Sequence, residues 1–457
     1  MIYFMAKQRR SNNKREAPPA RTDKWKLHPD RDTKRLLLKT VGEYRRLVQA
    51  LIGVVYTHWL DIAEAKDTIA VVESLIHPTK KRPEVKYNYF SRAFYKFPSY
   101  LRRAAIHNAV GQVSSFVTRY DQWQRGMRNF KDALPPKLTA NTGVYPSLYQ
   151  GQCILFGQDF ATAQIKVFTG TDWIWTKPIP ISGHRERHLA PGNERKSPQL
   201  VVNDQTCHLS VPFQIDSPDR ENSNLVLAVD LGINTTATAA VVSSNGTVMH
   251  RAFLHYGKDI DRRDQRLKRI SKKTRLTGKL HKGFCRGLYR KANHINQQIA
   301  QSCSRQLVKI AQRFGVKTIV FERLKGWRPK GGKKRSTLKQ RFHGWLHRRL
   351  VQLTEMKWTE LGGNVAYVLP QYTSKYAYDG SGQVKRNKKN YAKLVFATGK
   401  RYNADLNGSL NIAARYWYKQ LRLGSRNGSE VWLGKNSSQT PRTPVTLSVL
   451  WSHPQSL

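Results

Sequence analysis

Leu225-Val-Leu-Ala-Val-Asp-Leu-Gly-Ile-Asn234 opens with an unbroken apolar run and ends in Asp230 and Gly232. Five consecutive apolar residues without polar alternation predict a central strand buried on both faces. The carboxylate of Asp230 would then stand at the strand's end. The pattern recurs downstream: Lys317–Phe321 (KTIVF) is a second buried run, closed by Glu322. A third acid, Asp405, stands in RYNADLNGSLNIAARY at the start of a predicted helix over Asn403–Lys419. Adjacent strands would place Asp230 and Glu322 side by side, and a helix on the same sheet would deliver Asp405. Three converging carboxylates repel one another unless a cation lies between them. An all-oxygen ligand set suits Mg²⁺ or Mn²⁺.

Taken singly, each acid has a plainer reading. A DxG after a strand also occurs in the phosphate loops of sugar-kinase and actin-like ATPases, but that fold needs a second Asp-Gly loop, and no such loop is visible. Glu322 could be a solvent residue at a strand end and Asp405 a helix cap. The order and context of all three together are far more specific and point to a shared divalent-metal site.

Outward from this core, Thr238–Ser243 and Val248–Tyr256 read as two antiparallel strands turned at Asn245-Gly246. Arg262–Lys291 carries thirteen Lys and Arg against one acid, Asp264. Ile295, Ile299, Cys303, Leu307, Ile310 and Phe314 mark the apolar face of a long helix. Trp345–Leu361 is predicted helical and Val365–Leu369 a strand. Upstream, Lys24–His28 (KWKLH) is a candidate strand, Leu36–Ile62 a helix and Ser99–Gln124 another. Short strands are expected at Cys153–Phe156, Ala163–Phe168, Asp172–Trp175, Gln199–Asn203 and Thr206–Ile215. The stretch SRAFYKFPSYLRR before and into the second helix interleaves aromatics with cations, which suits either base stacking with phosphate contact or a helical core.

The 457 residues include 80 Lys and Arg against 30 Asp and Glu, a formal charge of +50 with pI near 10.5. Such a chain is expected to be neutralised by a polyanion, and nucleic acid is the obvious one. Four scattered cysteines form no CxxC pair, which argues against a disulfide framework. No apolar stretch is long enough for a signal peptide or membrane span, so a cytoplasmic, nucleic-acid-associated protein without a membrane partner is expected.

Asp230-Leu-Gly-Ile-Asn234 with Ala237, Val320-Phe-Glu322-Arg-Leu324, Tyr372-Thr373-Ser374 and Asn403-Ala404-Asp405-Leu-Asn407 resemble the RuvC motifs of the TnpB family, which includes the compact type V CRISPR effectors. The resemblance spans roughly Leu225–Tyr416. Upstream it is looser and rests on KWKLHP and on LVVNDQTCHLSVPFQID. It implies an α/β RNase H-like (RuvC) nuclease domain plus an N-terminal lobe with a helical recognition domain and a small β (wedge) domain. The implied boundaries are a disordered basic arm (1–23), a first wedge strand (24–34), a helical recognition domain (35–135) and a β wedge domain (136–220). RuvC motifs I and II follow (221–372), then a degenerate zinc-ribbon-like insertion (373–401), the motif III helix (402–423) and a loose tail (424–457).

The implied activity is RNA-guided DNA cleavage through two metal ions at Asp230, Glu322 and Asp405, with a guide RNA and an RNA–DNA heteroduplex as partners. The alternatives are a guided binder that does not cut and a guide-independent RuvC-fold nuclease or transposase. Arg102, Arg103, Arg266, Arg269, Lys273, Arg328, Lys333 and Lys334 are the candidate nucleic-acid contacts. The family's zinc ribbon has four cysteines, and this chain has neither Cys nor His between Lys375 and Arg401. No zinc is therefore expected there, and the insertion would either pack on Tyr376, Tyr378, Tyr391 and Phe396 or serve as a basic nucleic-acid contact.

Overall fold

The computed structural model describes residues 19–127, 134–138, 143–187, 189–232, 235–278, 280–281, 283–324, 346–387, 390–423 and 444–452. The chain divides into two compact units, Met1–Asp216 and Ser217–Leu457.

The first unit begins with strand β1 (Ala20–Leu27), so the expected basic arm, 1–23, loses its last residues to a strand. The rest of that arm, 1–18, lies outside the described residues. Helices α1 (Arg31–Thr57), α2 (Trp59–Glu64), α3 (Thr68–Ile76), α4 (Tyr89–Ala93) and α5 (Ser99–Gln124) follow. Asp30 caps α1 by accepting from Thr33 N at 2.7 Å, five residues earlier than the apolar pattern alone marks it. The single helix expected over Leu36–Ile62 is interrupted at His58. The strands are β2 (Ile154–Phe156), β3 (Thr162–Phe168), β4 (Trp173–Trp175), β5 (Ile179–Ser182), β6 (Glu194–Arg195), β7 (Gln199–Val202) and β8 (Cys207–Gln214). They form a sheet in the order β2-β3-β5-β1-β8-β6, with β4 on β3 and β7 on β8. The most N-terminal strand is thus central, paired antiparallel to β8 from Ala20↔Gln214 to Lys26↔His208. Trp25 anchors it, fully buried against Phe156, Phe160 and Phe213.

In the second unit, β9 (Leu225–Asp230), β10 (Ala237–Ser243) and β11 (Val248–Leu254) run antiparallel in sequence, followed by helices α6 (Gly257–Thr277) and α7 (Arg286–Arg313). Strand β12 (Thr318–Glu322), helix α8 (His347–Glu360) and strand β13 (Asn364–Val368) complete a sheet ordered β11-β10-β9-β12-β13. β12 lies parallel to β9, with Ile319↔Leu227 and Phe321↔Val229 in register.

The uninterrupted apolar run of β9 is explained by this position. Leu227 and Val229 enter a core with α7 and α8, built on Leu307, Leu350 and Trp358. Val226 and Ala228 enter the opposite core, with Leu406, Leu410 and Trp417. Three short strands, β14 (Lys385–Arg386), β15 (Lys393–Val395) and β16 (Arg401–Asn403), lead into α9 (Ala404–Gln420).

The cysteine-free insertion is built around Lys400. Its Nζ lies 5.0, 5.7 and 5.4 Å from the ring centroids of Tyr378, Phe396 and Tyr402, and it donates to Tyr378 Oη at 2.9 Å. Of the aromatics expected to hold this segment, Tyr378 and Phe396 do so, joined by Tyr402. Tyr376 instead meets Tyr372 edge-on, and Tyr391 is 67% exposed. The tail expected to be loose over 424–457 contains a docked piece, helix α10 (Ser448–Trp451). Leu447 and Leu450 are buried against α9's core, and Trp451 Nε1 donates to Gly246 O at 3.2 Å. Gly246 has φ +84°, and a Cβ there would stand 2.7 Å from the Trp451 ring, so the Asn245-Gly246 turn needs its glycine twice over. The expected tail's remaining parts, 424–443 and 453–457, lie outside the described residues.

Leu410 is fully buried where α9 meets the sheet. Leu410→Ala should lower the unfolding free energy of the second unit by about 2–5 kcal/mol, measured by chemical denaturation. Leu276→Ala, at a side chain 78% exposed on α6, should change it by less than about 0.5 kcal/mol.

Candidate metal and nucleic-acid site

Strand parity puts the acids on one face. Asp230 continues the set Val226, Ala228 on the α9 side of β9, and Glu322 continues Val320 on β12. Asp405 comes to them on the first turn of α9. Capping is not its task, because Asn403 caps the helix by accepting from Leu406 N at 2.9 Å. Two glycines permit the approach. A Cβ on Gly408 would lie 2.5 Å from Asp230 Oδ2, and one on Gly232 would lie 2.5 Å from Thr235 O and 3.6 Å from Asp405 Oδ2. Asp230 therefore rests on the α9 backbone, and Asp405 rests beside the loop that follows Asp230.

The electrostatics are costly. Burial, then the charges of Glu322 and Asp405, push Asp230 well above the usual carboxylate range, against the opposing pull of Arg386 and the Leu231 N–H. Burial also raises Glu322, opposed by the Thr373 hydroxyl and Arg415. It raises Asp405, opposed by the Thr235 hydroxyl, Arg386 and His255. Three acids held up by burial and mutual repulsion form a donor set that a hard divalent cation would relieve. Among the described residues, no three His, Cys, Asp or Glu side chains already stand at ligating distance around one point, so an ion held here would need oxygens from outside the trio. That fits ions that keep water and phosphate oxygens as further ligands.

The residues that set this geometry were not assigned a role by sequence. Thr373 Oγ1 donates to Glu322 Oε1 at 2.6 Å. Its loop is held by α9: Asn411 Nδ2 donates to the carbonyls of Thr373 and Tyr376 at 2.9 Å each. Asn407 Nδ2 donates to Tyr376 O at 2.8 Å, while its Oδ1 accepts from Tyr378 N at 2.9 Å. One helix thus carries Asp405 and fixes the loop that orients Glu322. Arg386, on β14, is a second omission; its charge favours ionisation of both Asp230 and Asp405. The usable signal was the spacing of Asn407 and Asn411, one helical turn apart on a helix otherwise buried.

The candidate nucleic-acid contacts divide. Arg102 is 14% exposed and bound to Glu73 at 3.2 Å, which gives it an internal partner rather than a free face. Arg103 is half exposed and 3.7 Å from the same carboxylate. Arg269 and Lys273 on α6 are exposed and Arg266 partly so. Arg263, within the same basic run, is buried against Asp264 and Asn296. Arg328, Lys333 and Lys334 lie outside the described residues, as do Ile233 and Asn234 of the first motif. No helix among the described residues is long and apolar enough to cross a membrane.

The shifts carry a stability consequence in the absence of metal. Acids raised in the folded state stabilise it fully below the unfolded carboxylate value near 4, and that stabilisation is lost as pH rises through the folded values. Asp230→Asn should therefore raise the Tm of the metal-free protein, by a margin that widens from about pH 4 to pH 7. Millimolar Mg²⁺ should raise the Tm of the wild type and leave that of the variant unchanged. Thr373→Val should weaken Mn²⁺ binding about tenfold by titration calorimetry, since hydrogen bonds that orient a ligand typically contribute that much. Thr373→Ser should restore it.

A family model described as the Aq_aa04 family matches residues 21–169. A TnpB-like protein of Aquifex aeolicus (strain VF5), aq_aa05, is 28% identical over 194 residues, 41% of this chain and 63% of that one. A TnpB-like protein of Acidianus two-tailed virus, ORF457, is 26% identical over 261 residues, 54% of this chain and 51% of its own. The chain thus spans between half and two thirds of the curated relatives it matches. The Cas12f1 chain of a Cas12f1–sgRNA–target DNA complex superposes with a TM-score of 0.53 at 13% identity, covering 84% of this chain and 82% of that one. In sequence the chain is similar to the TnpB-like proteins, and its fold is similar to that of the Cas12f1 chain.

Proposed function

We propose that this protein is an RNA-guided DNA endonuclease that hydrolyses phosphodiester bonds at the single site formed by Asp230, Glu322 and Asp405. The observation that carries the reading is the convergence of these carboxylates from β9, β12 and α9, at high electrostatic cost, in a chain of charge +50. Burial raises all three acids in spite of Arg386 and Arg415 beside them, which satisfied structural ion pairs would not leave. These side chains would hold Mg²⁺ or Mn²⁺, which when bound supplies charge to the phosphoryl oxygens and a water of lowered pKa. Thr373 fixes the Glu322 carboxylate, the α9 N-terminus favours negative charge at Asp405, and Arg386 supplies positive charge beside Asp230.

A guide RNA and the RNA–DNA heteroduplex are the polyanions that the charge excess fits, with base pairing reading the sequence. The β strands of 24–34 and 136–220 would serve as the wedge, and the helices of 35–135 as the recognition domain. Exposed Arg269 and Lys273 on α6 are the contacts favoured for the nucleic acid, with Arg103 a third.

Asp230→Ala, Glu322→Ala and Asp405→Ala should each reduce cleavage by more than about a thousandfold, the scale of an essential catalytic group. Guide and target affinity should stay within about threefold, because affinity comes from many dispersed cations. Cleavage by the wild type without guide would instead favour a guide-independent nuclease, and guided binding without any cleavage would favour a pure binder. Expressed with its own locus, the chain should co-purify with one discrete RNA, and charge reversal at Arg266, Arg269 and Lys273 should weaken that association.

A further inference from the structure

Phe253 and His255 lie on β11 and just beyond it; Phe253 has no part in the site described above, and His255 enters it only through its effect on Asp405. Strand register places Phe253 opposite Thr238, and Thr238 opposite Asp230. All three side chains therefore project from the same face of the sheet, in one row. Two strand spacings separate Phe253 from Asp230, about 10 Å. Phe253 is 41% exposed and His255 is exposed. Their rings lie parallel within 10°, with centroids 6.1 Å apart. Arg251, also exposed, precedes Phe253 on the same face. His255, just past the strand, also lies near enough to Asp405 to act on it electrostatically.

A lone exposed phenylalanine means little. Here the exposed ring shares a row with Asp230, stands parallel to a second ring and has the cation of Arg251 on the same face. A ring with an open face, next to a cation that can take a phosphate, is the arrangement that holds an unpaired base.

We propose that Phe253 and His255 form a stacking platform for one unpaired nucleobase beside the phosphate held at the carboxylates, with Arg251 on the adjoining backbone. This deepens the nuclease reading and rests on it. The platform fixes the strand's position relative to Asp230 through a flat apolar face, so it tolerates any base and rejects an abasic residue.

The test uses the full chain with its guide and DNA substrates that carry one abasic residue, moved position by position across the cut. With wild type, one position next to the cut should slow cleavage about tenfold, the scale of one lost base stack. Phe253→Ala should slow cleavage of intact DNA to a similar extent and show no further loss at that position, with target affinity and Tm unchanged. Phe253→Trp should restore both rate and abasic sensitivity. In an Asp230→Ala background, which binds without cutting, 2-aminopurine at that position should be quenched on binding and should brighten when Phe253→Ala is added.

Wild-type cutting by Phe253→Ala, additive losses in the abasic scan, or quenching that persists without Phe253 would each overturn the platform. Asp230→Ala separates the two readings. If it still cuts, the assignment of the site fails; if it is dead and Phe253→Ala is indifferent, only the platform fails.

Discussion

The repulsion among Asp230, Glu322 and Asp405 is the constraint around which the second unit is arranged. A strand buried on both faces has no room for a charge except at its end, and β9 and β12 both place one there. Parallel pairing of β9 with β12 then forces the two ends to the same edge of the sheet. Helix α9 brings the third acid, and it can lie so close only because Gly408 leaves Asp230 its space. Every residue of Gly408-Ser-Leu-Asn-Ile-Ala-Ala414 is buried, and its small members, Gly408, Ser409, Ala413 and Ala414, let this helix lie close to the sheet. Packing and charge therefore pull in opposite directions at one point, and packing prevails by several buried side chains.

Much of this was legible in the sequence because burial on two faces leaves an unmistakable mark. LVLAV and TIVF could not alternate, so their strands had to be central, and the acid after each had to be terminal. Helix α5 was equally plain, its bounds at Ser99 and Gln124 following Pro98 and the end of the apolar spacing. What stayed hidden was pairing across distance. Glu73 meets Arg102 and Arg103 from a helix that propensity alone did not single out. Strands β5 and β6 are short, and β5 contains Pro180, so neither has a period to read. The grip of Thr373 on Glu322 depends on a loop whose position is set by two asparagines on another element. A hydrogen bond of this kind has no spacing rule, only a fold.

The segment between Thr373 and Asn403 contains neither Cys nor His and is held by cation–ring and apolar packing. A zinc site holds a short, core-poor segment by fixing four ligands at one point. Here Lys400 faces three aromatic rings, and Leu394 and Ala377 supply a small apolar floor. Cation–ring attraction contributes roughly 0.5–2 kcal/mol per contact, less than a bound metal. The balance is met from outside the segment: α10 docks on it, with Ser448 N donating to Tyr378 O at 3.0 Å and Trp451 edge-on to Tyr378. Arg386 rides on this segment, so the same packing also positions a cation near Asp230 and Asp405.

That distribution bears on the charge of the whole chain. With 80 cations and 30 acids, every carboxylate is a scarce means of neutralisation, and the structure allots several to single internal tasks. Asp23 holds Arg187, Asp264 holds Arg263, and Glu73 serves two arginines. Yet three acids are gathered at one point, where Arg386 and Arg415 offset only part of the cost of burying them. A chain shaped only for stability would spread them among its arginines. Their gathering fits a cation as ligand, and the excess positive charge fits a polyanion around it. The two features describe one object from opposite signs: a cation at the acids and a polyanion over the basic faces meet only at a phosphate.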